Sequence, residues 1–239
     1  MSGHSKWHNI QAKKGKTDAQ RGKIFTKLGR ELAVAVKEGG ADPDSNSRLR
    51  DAIEKAKKSN MPSDVINRAI KKASGELGSV NYEAITYEGY GVGGSAVIVE
   101  CLTDNKNRTA GDVRHAFDKL GGSLGSTGCV SYLFKRKGVV IAPKKAGMES
   151  DDFFMLALDA GADDIQEDEE VFEVYTTGEN LHKVSKYLEE NGVEIVSSEI
   201  ELVPDAYVEL DDAQFATFEK MIEKLEDLDD VQEVYHNVK

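Results

Sequence analysis

The 239-residue sequence lacks long hydrophobic runs and has only two cysteines. No segment approaches the roughly 18 to 20 consecutive apolar residues that a membrane-spanning helix needs, so we expect no contact with a membrane. The N-terminus lacks the apolar segment of a secretory signal. Cys101 and Cys129 do not form a CxxC pair, which argues against a disulfide framework and favours a reducing compartment. The sequence therefore predicts a soluble, cytoplasmic protein.

Acidic residues are scarce in the first third of the chain, and basic residues are scarce in the remainder. Residues 1–75 contain 17 Lys or Arg and 8 Asp or Glu, a net charge of +9, whereas residues 76–239 contain 14 and 35, a net charge of −21. This segregation favours one module that meets a polyanion and another that does not. The alternative is a neutralising contact between the two parts.

The basic part is predicted to be a bundle of three short helices. Thr17 and Gln20 have the spacing of a capping box, and Gly39 and Gly75 end two of the helices. Pro62 stands close to the first turn of the third helix. Apolar residues recur at helical spacing in each segment; the stripes are Ile24, Phe25, Leu28, Leu32, Ala35 and Val36, then Leu49, Ala52, Ile53 and Ala56, then Val65, Ile66, Ala69, Ile70 and Ala73.

The remainder is predicted to be α+β, with two ferredoxin-like domains. Residues 135–204 follow the order β-α-β-β-α-β of a split-βαβ unit. The stretch before them gives only β-β-α-β, with strands at 82–88, 95–103 and 129–134. The tail supplies the missing helix and strand after a further strand at 207–210. We therefore predict a basic all-α domain at 1–79, an α+β domain made of 80–134 plus 205–239, and an inserted acidic α+β domain at 135–204.

A basic face is the strongest functional signal. Lys23, Lys27, Arg30 and Lys37 fall within about 80° of arc on the first helix, away from its apolar stripe. Such a footprint indicates nucleic acid, although lysines on an outer helix face are commonly only solvated. Trp7 either stacks on a base or packs on the bundle. The predicted nucleic-acid-binding residues are Lys6, Trp7, His8, Lys13, Lys14, Lys16, Arg21, Lys23, Lys27, Arg30, Arg68, Lys71 and Lys72.

Two literal motifs and one histidine pair fail when their context is considered. Residues 89–94 match GxGxxG, but a strand rather than a helix follows, so a pyrophosphate finds no helix N-terminus. Residues 121–125 match GxSxG, but the helix precedes the motif instead of following it. His4 and His8 lack the further ligands that a structural zinc site needs. We predict no catalytic residue, no metal and no cofactor, and therefore a protein that is not an enzyme.

The acidic runs are expected to be solvated surface that faces away from nucleic acid or meets a basic protein partner. They lie at 163–164, 167–170 and 226–230, and they lack the ligand spacing of a calcium loop. The polar segment 103–108 lies between a strand and a helix. Capping by Asp104 or Asn105 explains part of it, and a second contact surface is the alternative for the rest.

Several long stretches make the chain resemble the YebC/PmpR family throughout its length. They are GHSKW, RGKIFTKLGREL, VKEGGADPDSNSRLRDAIEKAKKSNMP, RAIKKASG, YEGYGVGG, ECLTDNKNRTAGDVRHAFDKLGGSLGSTGCVSYLF and KGVV. The resemblance implies a bacterial cytoplasmic protein with an all-α N-terminal domain and two α+β domains. It also implies a DNA-binding transcriptional regulator, with a ribosome-linked role and mitochondrial translational activators among its relatives. It brings no cofactor and no catalytic residue.

Two functions follow from these observations. The first is a regulator that binds double-stranded DNA through the basic helices, with little base specificity because no helix has the Asn, Gln and Arg density of a recognition helix. The second is a ribosome-associated factor that grips ribosomal RNA or tRNA and relieves stalling. Irregular RNA suits an arm of Gly, Lys and Trp, and the acidic domains would then contact basic proteins.

Overall fold

The computed structural model describes residues 18–75, 81–145 and 149–239. Its helices are α1 Asp18–Gly39, α2 Ser47–Lys58, α3 Ser63–Ala73, α4 Lys106–Lys119, α5 Ser150–Ala160, α6 Leu181–Glu190 and α7 Asp212–Glu226. Its strands are β1 Glu83–Tyr90, β2 Ala96–Thr103, β3 Ser123–Leu124, β4 Phe134–Pro143, β5 Asp164–Glu167, β6 Val171–Thr176, β7 Ser197–Pro204 and β8 Val231–His236. Among the described helices, none combines the length and apolarity needed to cross a membrane.

Helices α1, α2 and α3 form the predicted bundle around a small apolar core. Leu32 and Leu49 are fully buried at its centre, because the apolar stripes of the helices face one another. Asn46 connects the first two helices. Its Oδ1 accepts from the Leu49 backbone N–H at 3.0 Å, and its Nδ2 donates to the Ala35 carbonyl oxygen at 2.8 Å. Helix α1 ends at the predicted glycine pair, where Gly40 has a φ of 87°.

The first sheet has the strand order β3-β1-β2-β8. Strands β1 and β2 pair antiparallel from Glu83 opposite Thr103 to Tyr90 opposite Ala96. The GxGxxG segment forms the connection between them as a short 3-10 turn, Val92–Gly94. A strand therefore follows the glycines, as the sequence predicted, and no helix begins there to bind a pyrophosphate.

The second sheet has the order β5-β6-β4-β7, the arrangement of a split-βαβ unit. Helices α5 and α6 supply its core, in which the Phe153 ring stacks on Phe172 with 4.0 Å between ring centroids. All four strands lie in the chain between β3 and β8 of the first sheet. The fold is therefore α+β, with a three-helix domain and two ferredoxin-like domains, the third inserted into the second.

The strand predicted at 129–134 is wrong. A 3-10 turn at Ser131–Leu133 occupies it, and the third strand of the first sheet is the two-residue β3. The reason is Glu88, which is 4% exposed and whose carboxylate accepts from the backbone N–H groups of Gly128 at 2.8 Å, Val130 at 2.9 Å and Ser131 at 2.8 Å. These donors bind a side chain and cannot serve a strand ladder.

The strand predicted at 207–210 is also wrong, since only one isolated parallel bridge, Val208 with Val238, forms there. Contacts within the chain define two compact units. The first unit runs to Ser131 and takes in Leu210–Tyr235, and the second unit comprises Tyr132–Glu209 and His236–Lys239. The bundle thus shares a unit with the first sheet. The three-domain boundaries at 79, 134 and 204 stay a prediction.

Replacing Glu88 with glutamine should destabilise the first unit. Burial raises the pKa of Glu88, but the hydrogen bonds from the Gly128, Val130 and Ser131 backbone outweigh it and hold the pKa below its ordinary value. Folding therefore favours the ionised form of Glu88. Its contribution to the free energy of unfolding is fully present above the ordinary pKa of 4.5 and is lost as the pH falls through the lower folded pKa. We expect Glu88→Gln to reduce the free energy of unfolding at pH 7 by about 1 to 3 kcal/mol.

Urea unfolding at pH 7 and pH 3 measures this effect. The difference in free energy of unfolding between wild type and Glu88→Gln should shrink as the pH is lowered, because protonation makes Glu88 neutral like glutamine. Glu219→Gln is the control, because Glu219 is exposed on α7. Equal stability of the two variants at pH 7 would contradict the account of the 128–131 turn.

Candidate nucleic-acid interface

The predicted basic row on α1 contacts an acidic turn of the same unit, residues 226–230. Lys23 Nζ lies 3.0 Å from Asp227 Oδ1, and Lys27 Nζ donates to the Glu226 carbonyl oxygen at 2.6 Å. This is the neutralising contact between the basic and acidic parts of the chain, which the sequence left open as an alternative. Lys23 keeps 45% of its side chain exposed, so that pair is a weak one.

Arg30 is the most deeply placed cation of the row, with 12% of its side chain exposed. One of its terminal nitrogens donates to the carbonyl oxygens of Asp229 at 2.6 Å and Leu102 at 3.1 Å, and it also binds the Asp230 carboxylate. Its guanidinium carbon lies 5.4 Å from the centroid of the Tyr82 ring, within the range of a cation–π contact. Arg30 therefore fastens α1 to the first sheet.

Asp230 is 7% exposed and gathers donors from three elements. Besides Arg30, it accepts from Arg108 Nη2 at 2.7 Å, Thr109 Oγ1 at 2.6 Å and Thr103 Oγ1 at 3.2 Å. Burial raises the pKa of Asp230, but the hydrogen bonds from Thr109 and Arg108 and the charge of Arg30 outweigh it and hold the pKa below its ordinary value. Two residues of the polar segment 103–108, Thr103 and Arg108, thus bind this carboxylate.

Helix α3 presents its predicted cations to solvent. Arg68, Lys71 and Lys72 are all exposed. Arg68 lies 3.7 Å from Asp64 one turn earlier, with both side chains more than 70% exposed, so solvent screens the pair. Arg21, on α1, is exposed too. The other predicted residues, Lys6, Trp7, His8, Lys13, Lys14 and Lys16, lie outside the described part of the chain.

The roles of two sets of residues were not predicted from the sequence. Arg50, Lys57 and Lys58 are exposed on α2 and enlarge the positive surface of the bundle; the three lysines in the last turn of that helix were the available signal. Asp230 and its neighbours were predicted to be solvated surface. Nothing in their local spacing reveals that one of them is buried against a helix 200 residues away.

Comparison with known proteins covers nearly the whole chain. Residues 5–76 match the family model described as the TACO1/YebC protein N-terminal domain, and residues 82–238 match the one described as the TACO1/YebC second and third domain. The chain belongs to the TACO1/YebC family. The YebC/PmpR resemblance predicted from the sequence is thereby confirmed, and the α+β architecture is that of the family.

Individual TACO1/YebC relatives are similar over the same span. A probable transcriptional regulatory protein from Clostridium botulinum (strain Okra / Type B1) is 60% identical over 99% of this chain and 96% of its own length. A protein of the same description from Acetivibrio thermocellus is 57% identical over 99% and 98%. The crystal structure of a conserved hypothetical protein from Aquifex aeolicus aligns with a TM-score of 0.83 and 48% identity, covering 94% of this chain and 92% of that one.

Replacing Asp230 with asparagine should destabilise the first unit far more than the same change at Asp227. Asparagine leaves Arg30 and Arg108 without a buried counter-charge, and we expect a loss of about 3 kcal/mol in the free energy of unfolding. Asp227 is 74% exposed, so Asp227→Asn should cost less than about 0.5 kcal/mol. Chemical denaturation at pH 7 measures both losses.

The sign of the pH dependence offers a second readout. Because folding lowers the pKa of Asp230 below its ordinary 3.8, its stabilising contribution is complete above that value and disappears as the pH falls through the folded pKa. The gap between wild type and Asp230→Asn should therefore narrow on acidification. Equal, small losses for both variants would show that the acidic turn is only solvated surface.

Proposed function

We propose that the chain is a non-enzymatic regulatory protein of the bacterial cytoplasm that binds nucleic acid through its three-helix domain. The observation that carries the proposal is the exposed set of cations Arg68, Lys71 and Lys72 on α3. Lys and Arg on one surface neutralise phosphates and release counterions, which gives binding that depends on salt and not on base sequence. The basic N-terminal segment extends the same charge.

Double-stranded DNA is the first target that we propose. The relatives' description as probable transcriptional regulatory proteins supports it, and so does the spacing of Arg68 and Lys72 one turn apart on an exposed helix. In this arrangement α3 and the N-terminal segment contact the backbone. Lys23, Lys27 and Arg30 hold the helix against the acidic turn.

Ribosomal RNA or tRNA on the ribosome is the second target, with relief of stalling as the outcome. The observation that favours it is the surface of α5 in the second unit. Met155 and Leu158 are 62% and 56% exposed there, beside the exposed Asp151, Asp152 and Asp159. An apolar pair among carboxylates suits a basic protein partner, and a ribosome offers basic proteins beside its RNA.

Crosslinking in cells, followed by sequencing of both bound DNA and bound RNA, separates the two targets. For the transcriptional function we expect enrichment at promoters without a ribosomal RNA signal. For the ribosomal function we expect crosslinks to ribosomal RNA or tRNA, and co-sedimentation with ribosomes that high salt abolishes. If cells that express the protein show neither of these two patterns, nucleic-acid binding itself is contradicted.

Removing the exposed α3 cations should weaken binding of a DNA duplex and flatten its salt dependence. We expect Arg68→Ala/Lys71→Ala/Lys72→Ala to reduce the slope of log affinity against log salt by about 0.7 to 0.9 per lost contact, or about 2 to 3 in all. Fluorescence anisotropy between 50 and about 200 mM salt measures the slope.

A variant with the same change in net charge provides the control. Lys183, Lys186 and Lys220 are exposed on α6 and α7, and their joint replacement by alanine should leave the slope unchanged. If both triple variants lose the same amount of binding, the effect comes from net charge alone and the α3 surface is not the interface.

A further inference from the structure

A groove of about 260 Å3 lies between α1 and α3 within the first unit. Helix α1 lines it with Thr26, Gly29 and Ala33, and α3 lines it with Val65 and Ala69. The spacing of three and four residues places each set on one side of its helix. Because most of these side chains are small, the two helices leave a slot between them that no side chain of the described residues fills.

Gly29 keeps this slot open without being required by the packing. A Cβ atom added at Gly29 would meet nothing within 4 Å. A longer side chain at this position would lean toward the N-terminal turn and lie over Phe25 and Thr26, both of which line the groove. A larger side chain can therefore begin at this position without a clash at its Cβ atom and extend over the groove.

Among the described residues, the lining combines aromatic and cationic groups without a carboxylate. Phe25 and Tyr82 are half-buried in it, and Arg68 and Lys72 stand exposed on its α3 side. Aromatic rings offer a face to a flat base, and the two cations lie where they can contact a phosphate. A planar apolar group that carries a negative charge suits these surroundings.

A second groove on the same bundle shows that this composition is not general. It measures about 430 Å3 and lies between α2 and α3. Asp44 and Glu54 line it together with Arg50 and Lys57, so carboxylates would repel an entering phosphate as strongly as the cations attract it. Of these two grooves, only the one beside Gly29 has the charge to hold an anion.

We propose that the groove between α1 and α3 binds an unpaired nucleotide of a nucleic acid, with the base between the helices and the adjoining phosphate on Arg68 and Lys72. This inference rests on the proposed nucleic-acid binding and names its substrate as a single-stranded segment. A base paired within a duplex cannot enter the slot, because stacking and pairing hold it in the helix. The groove therefore discriminates single strands from duplexes, which phosphate contacts alone do not.

The test compares Gly29→Leu with Gly111→Leu. Gly111 also lies within a helix, α4, and a Cβ added there meets nothing within 4 Å. Leucine favours helix over glycine, so neither variant should lower the melting temperature. The probes are fluorescent twelve-nucleotide U and dT strands, an abasic deoxyribose strand of the same length and a twelve-base-pair duplex. Anisotropy gives each dissociation constant.

We expect Gly29→Leu to weaken binding of the U or dT strand about tenfold, the size of one lost base stack, and to leave duplex and abasic binding unchanged. Gly111→Leu should match wild type with every probe. The strand that loses more affinity, U or dT, identifies which of the two nucleotides the groove prefers. For wild type, the abasic strand should bind about tenfold more weakly than the dT strand.

Two other outcomes would overturn the inference and are distinguishable from each other. If wild type binds the abasic and dT strands equally, or Gly29→Leu binds the U and dT strands like wild type, the groove holds no base, and phosphate binding by α3 still stands. If wild type binds none of the four probes, nucleic-acid binding itself fails and the groove proposal fails with it.

Discussion

The arrangement of the first unit depends on one buried carboxylate, that of Asp230. This carboxylate accepts hydrogen bonds from side chains of α1, of the end of β2 and of α4. The backbone carbonyl oxygen of Asp230 also accepts from the Leu102 N–H at 2.8 Å. A buried ion is tolerable only when its lone pairs are satisfied, and here two arginines and two threonines satisfy them. The position of α1 on the sheet therefore follows from where β8 begins.

The contact between α1 and the acidic turn at 226–230 separates the basic residues of the bundle into two groups. Lys23, Lys27 and Arg30 of the α1 row contact the acidic turn, so their charge is partly offset within the unit, whereas Lys37 stays exposed. The cations on α3 remain on the surface. A count of basic residues would weight the two helices equally, whereas burial and partners distinguish a row that binds within the unit from a set that stays exposed.

Local signals in the sequence predicted most of the elements, because helix stripes, glycine stops and strand runs are properties of neighbouring residues. The bundle and the split-βαβ order were within reach for that reason. The prediction of a strand at 129–134 was wrong because Val130, Tyr132 and Phe134 alternate as residues of a strand do. The backbone N–H groups of this segment instead donate to the carboxylate of Glu88, about 40 residues earlier. The partner of Arg30 was equally hidden, since spacing within a helix carries no information on a carboxylate 200 residues away.

That separation has a consequence during synthesis of the chain. At about 5 to 20 residues per second, the ribosome makes α1 roughly 10 to 40 seconds before Asp230. Throughout this interval the bundle can form its apolar core, but the cations of its first helix have no acidic turn to contact. The nascent protein thus carries a larger positive surface than the finished one, beside the most abundant polyanion in its surroundings, the RNA of the ribosome that is making it.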